Sequence, residues 1–190
     1  MILNLFTPLF RLGNIKKVID SIPPYDDIYH IVIISNERFD LIAECQQYNV
    51  NYILMDAPDN KSNISTKVNL AIQSCKDGFF FGLDDDTTFN HNTYDMFKKY
   101  KDIYTIVVGK QMQLNNGIPE IRLNEAIPDC CVTDGAQAII HTNIAKSIKF
   151  INFEDSGCAD GLFLKECWFK SDEDKRLLTP EVISNYNFLR

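Results

Sequence analysis

The sequence predicts an α/β fold, a single domain with a mostly parallel central sheet flanked by helices. Three observations lead there. Short β-branched or aromatic runs alternate with amphipathic stretches through the first half of the chain. Those strand-like runs are apolar on both alternating faces, as strands covered by helices on both sides require. One of them, Phe79-Phe80-Phe81-Gly82-Leu83, runs directly into Asp84-Asp85-Asp86, and the carboxyl ends of strands are where open α/β sheets bind ligands.

Ile2–Phe6 reads as the first strand and stops at Thr7-Pro8, because proline cannot donate to a ladder. Asn14 then caps a helix through Ser21 that carries Ile15, Val18, Ile19 and Ile22 on one face. His30–Ile34 is a buried parallel strand closing at Ser35-Asn36, Leu41–Tyr48 a short helix, and Tyr52–Met55 a third strand. Ile64, Val68, Ala71, Ile72 and Cys75 form one stripe at helical spacing, ended by Asp77-Gly78. The second half is less regular. Thr93–Tyr100 is a helix, Tyr104–Val108 a strand, Asn115-Asn116-Gly117 a hairpin turn, and Ala136–His141 a strand. Asn143–Lys149 and Gly161–Phe169 are further helices. No linker or repeat divides residues 1–190. Residues 1–90 read as a ligand-binding half, 91–170 as the opposite half, and 171–190 as a docking tail or a lid.

Composition narrows the function. With 190 residues, 45% hydrophobic and 24% charged, the chain can bury a sizeable core. A net charge of −7 argues against nucleic acid, whose binders need a basic stripe to neutralise phosphates. No apolar run approaches a membrane span. The six cysteines show no C-x-x-C and no zinc-like spacing with histidine, which predicts buried free thiols in a reducing cytoplasm.

Three adjacent carboxylates repel one another, so the ionised triplet calls for a cation. A hard divalent ion, Mn²⁺ or Mg²⁺, suits oxygen ligands and keeps positions open for phosphate oxygens. Two motifs fit. Leu83-Asp84-Asp85-Asp86-Thr87-Thr88 matches the opening of haloacid-dehalogenase-like phosphatases, with Asp84 as nucleophile and Asp86 as acid/base. That family, however, places its aspartates after the first core strand, and three strand-helix units precede them here. The other motif is the D-x-D signature of GT-A glycosyltransferases.

Taken in order, several segments resemble inverting GT-A glycosyltransferases, with features of family 2 and of the glucuronosyltransferase family 43. Thr7-Pro8-Leu9-Phe10-Arg11 resembles the T-P-T-Y-x-R opening of family 43, and Asn36 stands where that family's acidic residue reads uracil. Lys67-Val68-Asn69-Leu70-Ala71 resembles its Q-R-N-x-A helix, with Val68 in place of the arginine and Lys67 as the nearest cation. Asp134-Gly135-Ala136-Gln137-Ala138 is similar to its D-M-A-G-F-A segment, and Asp160-Gly161-Leu162-Phe163-Leu164 to E-S-x-F-L, whose acid is the catalytic base. No histidine follows Asp160 as an additional metal ligand.

The resemblance implies a metal-dependent glycosyltransferase moving a sugar, with inversion, from a nucleoside-diphosphate sugar (UDP favoured) to a hydroxyl of a glycan or small acceptor. Asp86 and Asp84 would hold the metal. Thr7, Pro8, Arg11, Asn36, Lys67, Asn69, Asp84 and Asp85 would bind the donor, with Asp85 orienting the loop. Gly135, Ala136 and Gln137 would edge the acceptor pocket, and Asp160 would be the base, with Glu154 and Asp155 as competitors. A non-enzymatic alternative is a degenerate sugar-nucleotide-binding module. Trp168, at helical spacing from Leu164, is expected in the core.

Overall fold

The computed structural model describes residues 1–60, 63–151 and 158–189. Eight strands form one sheet, β1 (Ile2–Pro8), β2 (Ile28–Ser35), β3 (Tyr52–Met55), β4 (Gly78–Gly82), β5 (Ile106–Asn115), β6 (Ile118–Leu123), β7 (Ala138–His141) and β8 (Arg176–Tyr186). Their order is β3-β2-β1-β4-β7-β5-β6, with β8 also on β5. The first four are mutually parallel, as the β-α alternation requires. β7 enters antiparallel to both β4 and β5, so the half built from the less regular sequence is mixed.

Both faces of the parallel half are covered. Along β2, Ile31 and Ile33 pack with Val68, Ala71 and Ile72 of α3 (Ile64–Ser74), whereas Val32 and Ile34 pack with Ile15 of α1 (Ile15–Ser21) and Leu41 of α2 (Phe39–Gln47). Along β4, Phe80 joins the α3 side, while Phe79 and Phe81 meet Phe97 of α4 (His91–Tyr100). This period-2 division is why these strands lack polar positions. β1 and β4 approach so closely at Gly78 (φ 145°) that a Cβ there would lie 2.0 Å from the Ile2 carbonyl oxygen.

Two short elements complete the site side, α5 (Thr142–Lys146) and α6 (Ala159–Lys170). Trp168 of α6 is buried in the α3-side core, as expected. The predicted hairpin joins β5 to β6, with Asn116 at φ 50° and Gly117 at φ 79°, the left-handed pair a tight turn demands. The predicted strand from Ala136 begins two residues later, because Gly135–Gln137 forms a 3-10 turn capped by Asp134.

Two expectations are corrected. Residues 176–186 are neither tail nor lid but strand β8, paired parallel to β5. Its sequence hides this because Pro180 and Glu181 interrupt the apolar pattern at a bulge. The cysteines are not all free and buried. Cys130 and Cys158 form a disulfide, and Cys131 is exposed.

Candidate functional site

Asp84-Asp85-Asp86 follows β4 at the carboxyl edge of the sheet, and its three side chains have different surroundings. Asp85 is buried and accepts hydrogen bonds from the main-chain N–H of Phe10 (2.7 Å) and of Arg11 (2.8 Å), and one from the Arg11 guanidinium. It pins the loop after β1. Asp86 is also buried and pairs with Arg11 at 3.3 Å, while its carbonyl oxygen accepts from the Leu189 N–H at 3.0 Å. Asp84 is half-buried and points into a cavity of about 240 Å³.

Asp84 shares that cavity with Asp134, Asp160, Gly135 and Ala136. Burial, then the negative charges of Asp134, Asp160, Asp86 and Asp85, push the Asp84 carboxyl well above its ordinary range. Burial and Asp134 likewise push Asp160 up to about 7, against a main-chain hydrogen bond from Gly135 and the charge of Arg122. Gly135 lies close to Asp160: a Cβ there would stand 3.3 Å from the carboxyl and push it by a few tenths of an ångström. An adjoining cavity of about 260 Å³ is lined by Arg11, Asp84, Asp85, Asp86 and Tyr186. A larger hollow of about 440 Å³ on the outer face of α6, beside Leu162, Lys165 and Phe169, gathers no converging acids and lies outside this chemistry.

Asp134 was not among the predicted site residues, although its segment was noted. It is held by Arg122 (2.9 Å) and Gln111 (3.2 Å) while capping Ala136 N–H (3.0 Å). Arg122 stacks on Tyr186, 3.7 Å from the ring centroid. No local signal in the sequence connects β6, β8 and Asp134.

Several predicted donor or acceptor residues have structural partners instead. The Thr7 hydroxyl donates to the Leu83 carbonyl (2.7 Å) and lies 2.9 Å from His30 Nε2, tying β1 to the end of β4. Lys67 is fully buried, donating to the Leu9 carbonyl (2.9 Å) and Asp59 (2.7 Å) beneath the Phe10 ring. Asn69 braces Phe150 with both ends of its side-chain amide, the NH2 donating to the Phe150 carbonyl (2.7 Å) and the oxygen accepting from the Phe150 N–H (3.0 Å). Gln137 is buried and donates to the carbonyls of Gly109 and Asn124, so only Gly135 and Ala136 of the predicted acceptor trio line the cavity. Pro8 lines both cavities. Asn36 directly follows β2 and donates to Asp56 (2.7 Å), which directly follows β3. Glu154 and Asp155 lie outside the described residues.

A hard divalent cation fits this donor set in a limited way. Among the described residues, the only group of three whose ligand atoms lie within 4.8 Å of one another is a cysteine cluster, so the aspartates form no closed cage. Magnesium-type sites use one or two carboxylates and leave the rest to phosphate and water. Asp84 and Asp86 line one cavity together, and Asp86 is also paired with Arg11, so the chain offers an ion one or two carboxylates there.

No protein-family model matches the chain, and no curated protein matches its sequence. Solved structures do match its fold. A Staphylococcus aureus TarS fragment (residues 1–349) superposes with a TM-score of 0.67 at 15% identity over 97% of this chain and 60% of that one, and a related structure holds UDP-GlcNAc. The mannosyltransferase PcManGT from Pyrobaculum calidifontis, in complex with GDP-Man and Mn²⁺, gives 0.68 at 12% identity, covering 97% of this chain and 56% of that one. Glucosyl-3-phosphoglycerate synthase from Mycobacterium tuberculosis, with Mn²⁺, UDP and phosphoglyceric acid, gives 0.61 at 12%, covering 96% and 69%. The chain thus shares the α/β GT-A fold of these structures, and it spans less than two thirds of the first two. No helix among the described residues is long and apolar enough to cross a membrane.

Proposed function

We propose that the chain is a divalent-metal-dependent glycosyltransferase that moves a sugar from a nucleoside-diphosphate sugar, UDP-linked by preference, to an acceptor hydroxyl with inversion. The observation that carries this reading is the convergence of Asp84 and Asp160 on one cavity at the carboxyl edge of a GT-A sheet. Fold alone does not specify activity. Here, however, the fold's ligand edge carries two acids suited to opposite tasks, one beside a cation-seeking cluster and one with its carboxyl raised to about 7.

Asp86 and Asp84 would hold Mn²⁺ or Mg²⁺, and Asp84 is also near enough to the cavity to meet the donor. A bound cation supplies positive charge where a departing nucleoside diphosphate becomes more negative. Asp85 keeps the Pro8–Arg11 loop against the site, which sets the edge on which the donor rests. Asn36, beside Asp56, would meet the nucleobase. Lys67 acts through the loop it anchors rather than by touching phosphate. Asp160 takes the proton from the acceptor hydroxyl as its oxygen attacks the anomeric carbon, with Gly135 and Ala136 forming the acceptor wall. The phosphatase alternative requires its aspartates after the first strand, where this chain has Thr7-Pro8. A binding module without turnover uses the same donor pocket and differs only in rate.

The decisive experiment is thermal unfolding with a panel of nucleoside diphosphates and sugar nucleotides, with and without Mn²⁺. A ligand that binds only the folded chain raises its melting temperature by mass action. Stabilisation by one nucleotide, dependent on Mn²⁺ and lost in Asp86→Asn, is expected. Equal stabilisation without metal would sink the metal assignment, and none with any nucleotide would sink the enzyme reading.

A further inference from the structure

A second constellation lies outside the carboxylate site. Cys130 and Cys131 occupy the loop ahead of Asp134, and Cys158 immediately precedes α6. Their three sulfurs lie within 4.8 Å of one another. Cys131 Sγ is 3.2 Å from Cys158 Sγ and 3.5 Å from Cys130 Sγ, while Cys130 and Cys158 are joined as a disulfide.

The backbone is shaped to bring that third sulfur in. Cys131 adopts φ 58°, a left-handed conformation that costs a non-glycine residue about 1 kcal/mol. The loop meets α6 at Gly161, where a Cβ would fall 2.1 Å from the Asp129 carbonyl oxygen, so only glycine permits the approach. Asp129 adds a further tie, pairing with Lys165 of α6 at 3.0 Å and accepting from the Cys130 N–H at 2.8 Å. Cys158 is buried and Cys131 exposed, which leaves the cluster reachable from solvent on one side. The remaining thiols, Cys45, Cys75 and Cys167, are dispersed in the core, and burial raises Cys45 to about 11 and Cys75 to about 12.

We propose that Cys130, Cys131 and Cys158 of the reduced chain form a three-thiolate site for a soft divalent cation of the zinc class, its fourth position filled from solvent. Thiolates select such an ion over the hard cations suited to Asp84 and Asp86, so the two sites do not compete. Three protein ligands with an open fourth position is an established zinc arrangement. Formation takes two steps. Two equivalents of a thiol reductant reduce the disulfide to two cysteine thiols and are themselves oxidised to one disulfide. The three thiols then release three protons as three metal–sulfur bonds form. The bound ion would clamp the start of α6, and with it Asp160, to the loop leading into Asp134.

The test uses the full chain, reduced with excess dithiothreitol, desalted without air and titrated with Cd²⁺ as the spectroscopic substitute for Zn²⁺. A thiolate-to-metal charge-transfer band should saturate at about one equivalent. Cys131→Ser should lower its intensity by about a third, since two thiolates remain of three. The same variant should weaken Zn²⁺ by about tenfold or more in competition with a chelator, at least the effect of losing an outer-shell partner. Wild-type chain oxidised so that Cys130 and Cys158 are joined should show no band. The proposal is overturned if reduced wild type shows no band at one equivalent, or if the oxidised chain gives an equal one. An undiminished band in Cys131→Ser overturns it as well. Should that variant fail to fold by circular dichroism, Cys130→Ser is read by the same criteria, and the wild-type comparison decides independently of either.

Discussion

The Asp85 carboxylate accepts the main-chain N–H groups of Phe10 and Arg11, at 2.7 and 2.8 Å, although those residues lie on a loop more than seventy positions away in sequence. Its neighbour Asp84 meets only like charge among the groups that most affect it. Adjacent aspartates of one motif therefore do opposite work, and substitution should separate them.

Asp85→Asn leaves one side of a buried, charge-assisted network unsatisfied. It should destabilise the fold by about 2–3 kcal/mol, measured by denaturant unfolding. Asp84→Asn should instead raise the melting temperature of the metal-free chain at pH 8, because a neutral amide removes repulsion. It should also abolish stabilisation by Mn²⁺ with a nucleotide. Finding the two variants equally destabilised would contradict the division of roles.

Asp160→Asn should leave nucleotide-dependent stabilisation intact and reduce turnover by a factor of about 10² or more, the range of a lost general base. In the wild type, a base whose carboxyl sits at about 7 works only when deprotonated. The kcat/KM should thus fall on the acid side, with its midpoint moved below 7 by the positive charge of the bound cation. An acid limb that persists unchanged in Asp160→Asn would remove Asp160 from the role.

Lys67→Ala removes one of the two cations that hold Asp59, leaving it to Arg38, and empties the space beneath Phe10. A loss of about 2–3 kcal/mol is expected in urea melts, from the cavity and the Leu9 carbonyl that loses its donor. Lys67→Met fills the same volume and should retain nucleotide binding wherever it folds. If binding vanished in a folded Lys67→Met chain, Lys67 would be a donor contact after all.

His30 is held neutral, its imidazole lowered to about 4 by burial next to Thr7. For a histidine depressed on folding, the unfolded chain binds the extra proton, so stability is present above pH 6.5 and drains away towards pH 4. His30→Gln should flatten that part of the stability–pH curve. Aspartates titrating in the same range make the difference between variant and wild type the quantity to measure.

Much of the architecture was legible because local period reports burial. The strands around Ile31–Ile34 and Phe79–Phe81 read as doubly covered since both alternating faces are apolar, and the α3 stripe appeared at its helical spacing. Gly117 announced the hairpin through its backbone freedom. β8 escaped because an edge strand with a proline at a bulge has no clean alternation. Asp134 escaped as a site residue because a carboxylate capping a short turn looks the same whether or not it faces a cavity.

By itself the sequence determined the α/β layering, the strand that delivers the aspartate triplet to the carboxyl edge of the sheet, and Asp160 as an acid near the start of α6. These follow from patterns a few residues long, which the chain carries wherever it goes. Tertiary structure alone decided that Asp85 and Lys67 anchor a loop, that Asp134 joins Asp84 and Asp160, and that three cysteines meet. Such convergences depend on strand order, register and the close approach at Gly161, and contacts between distant segments leave no trace in any short window of sequence.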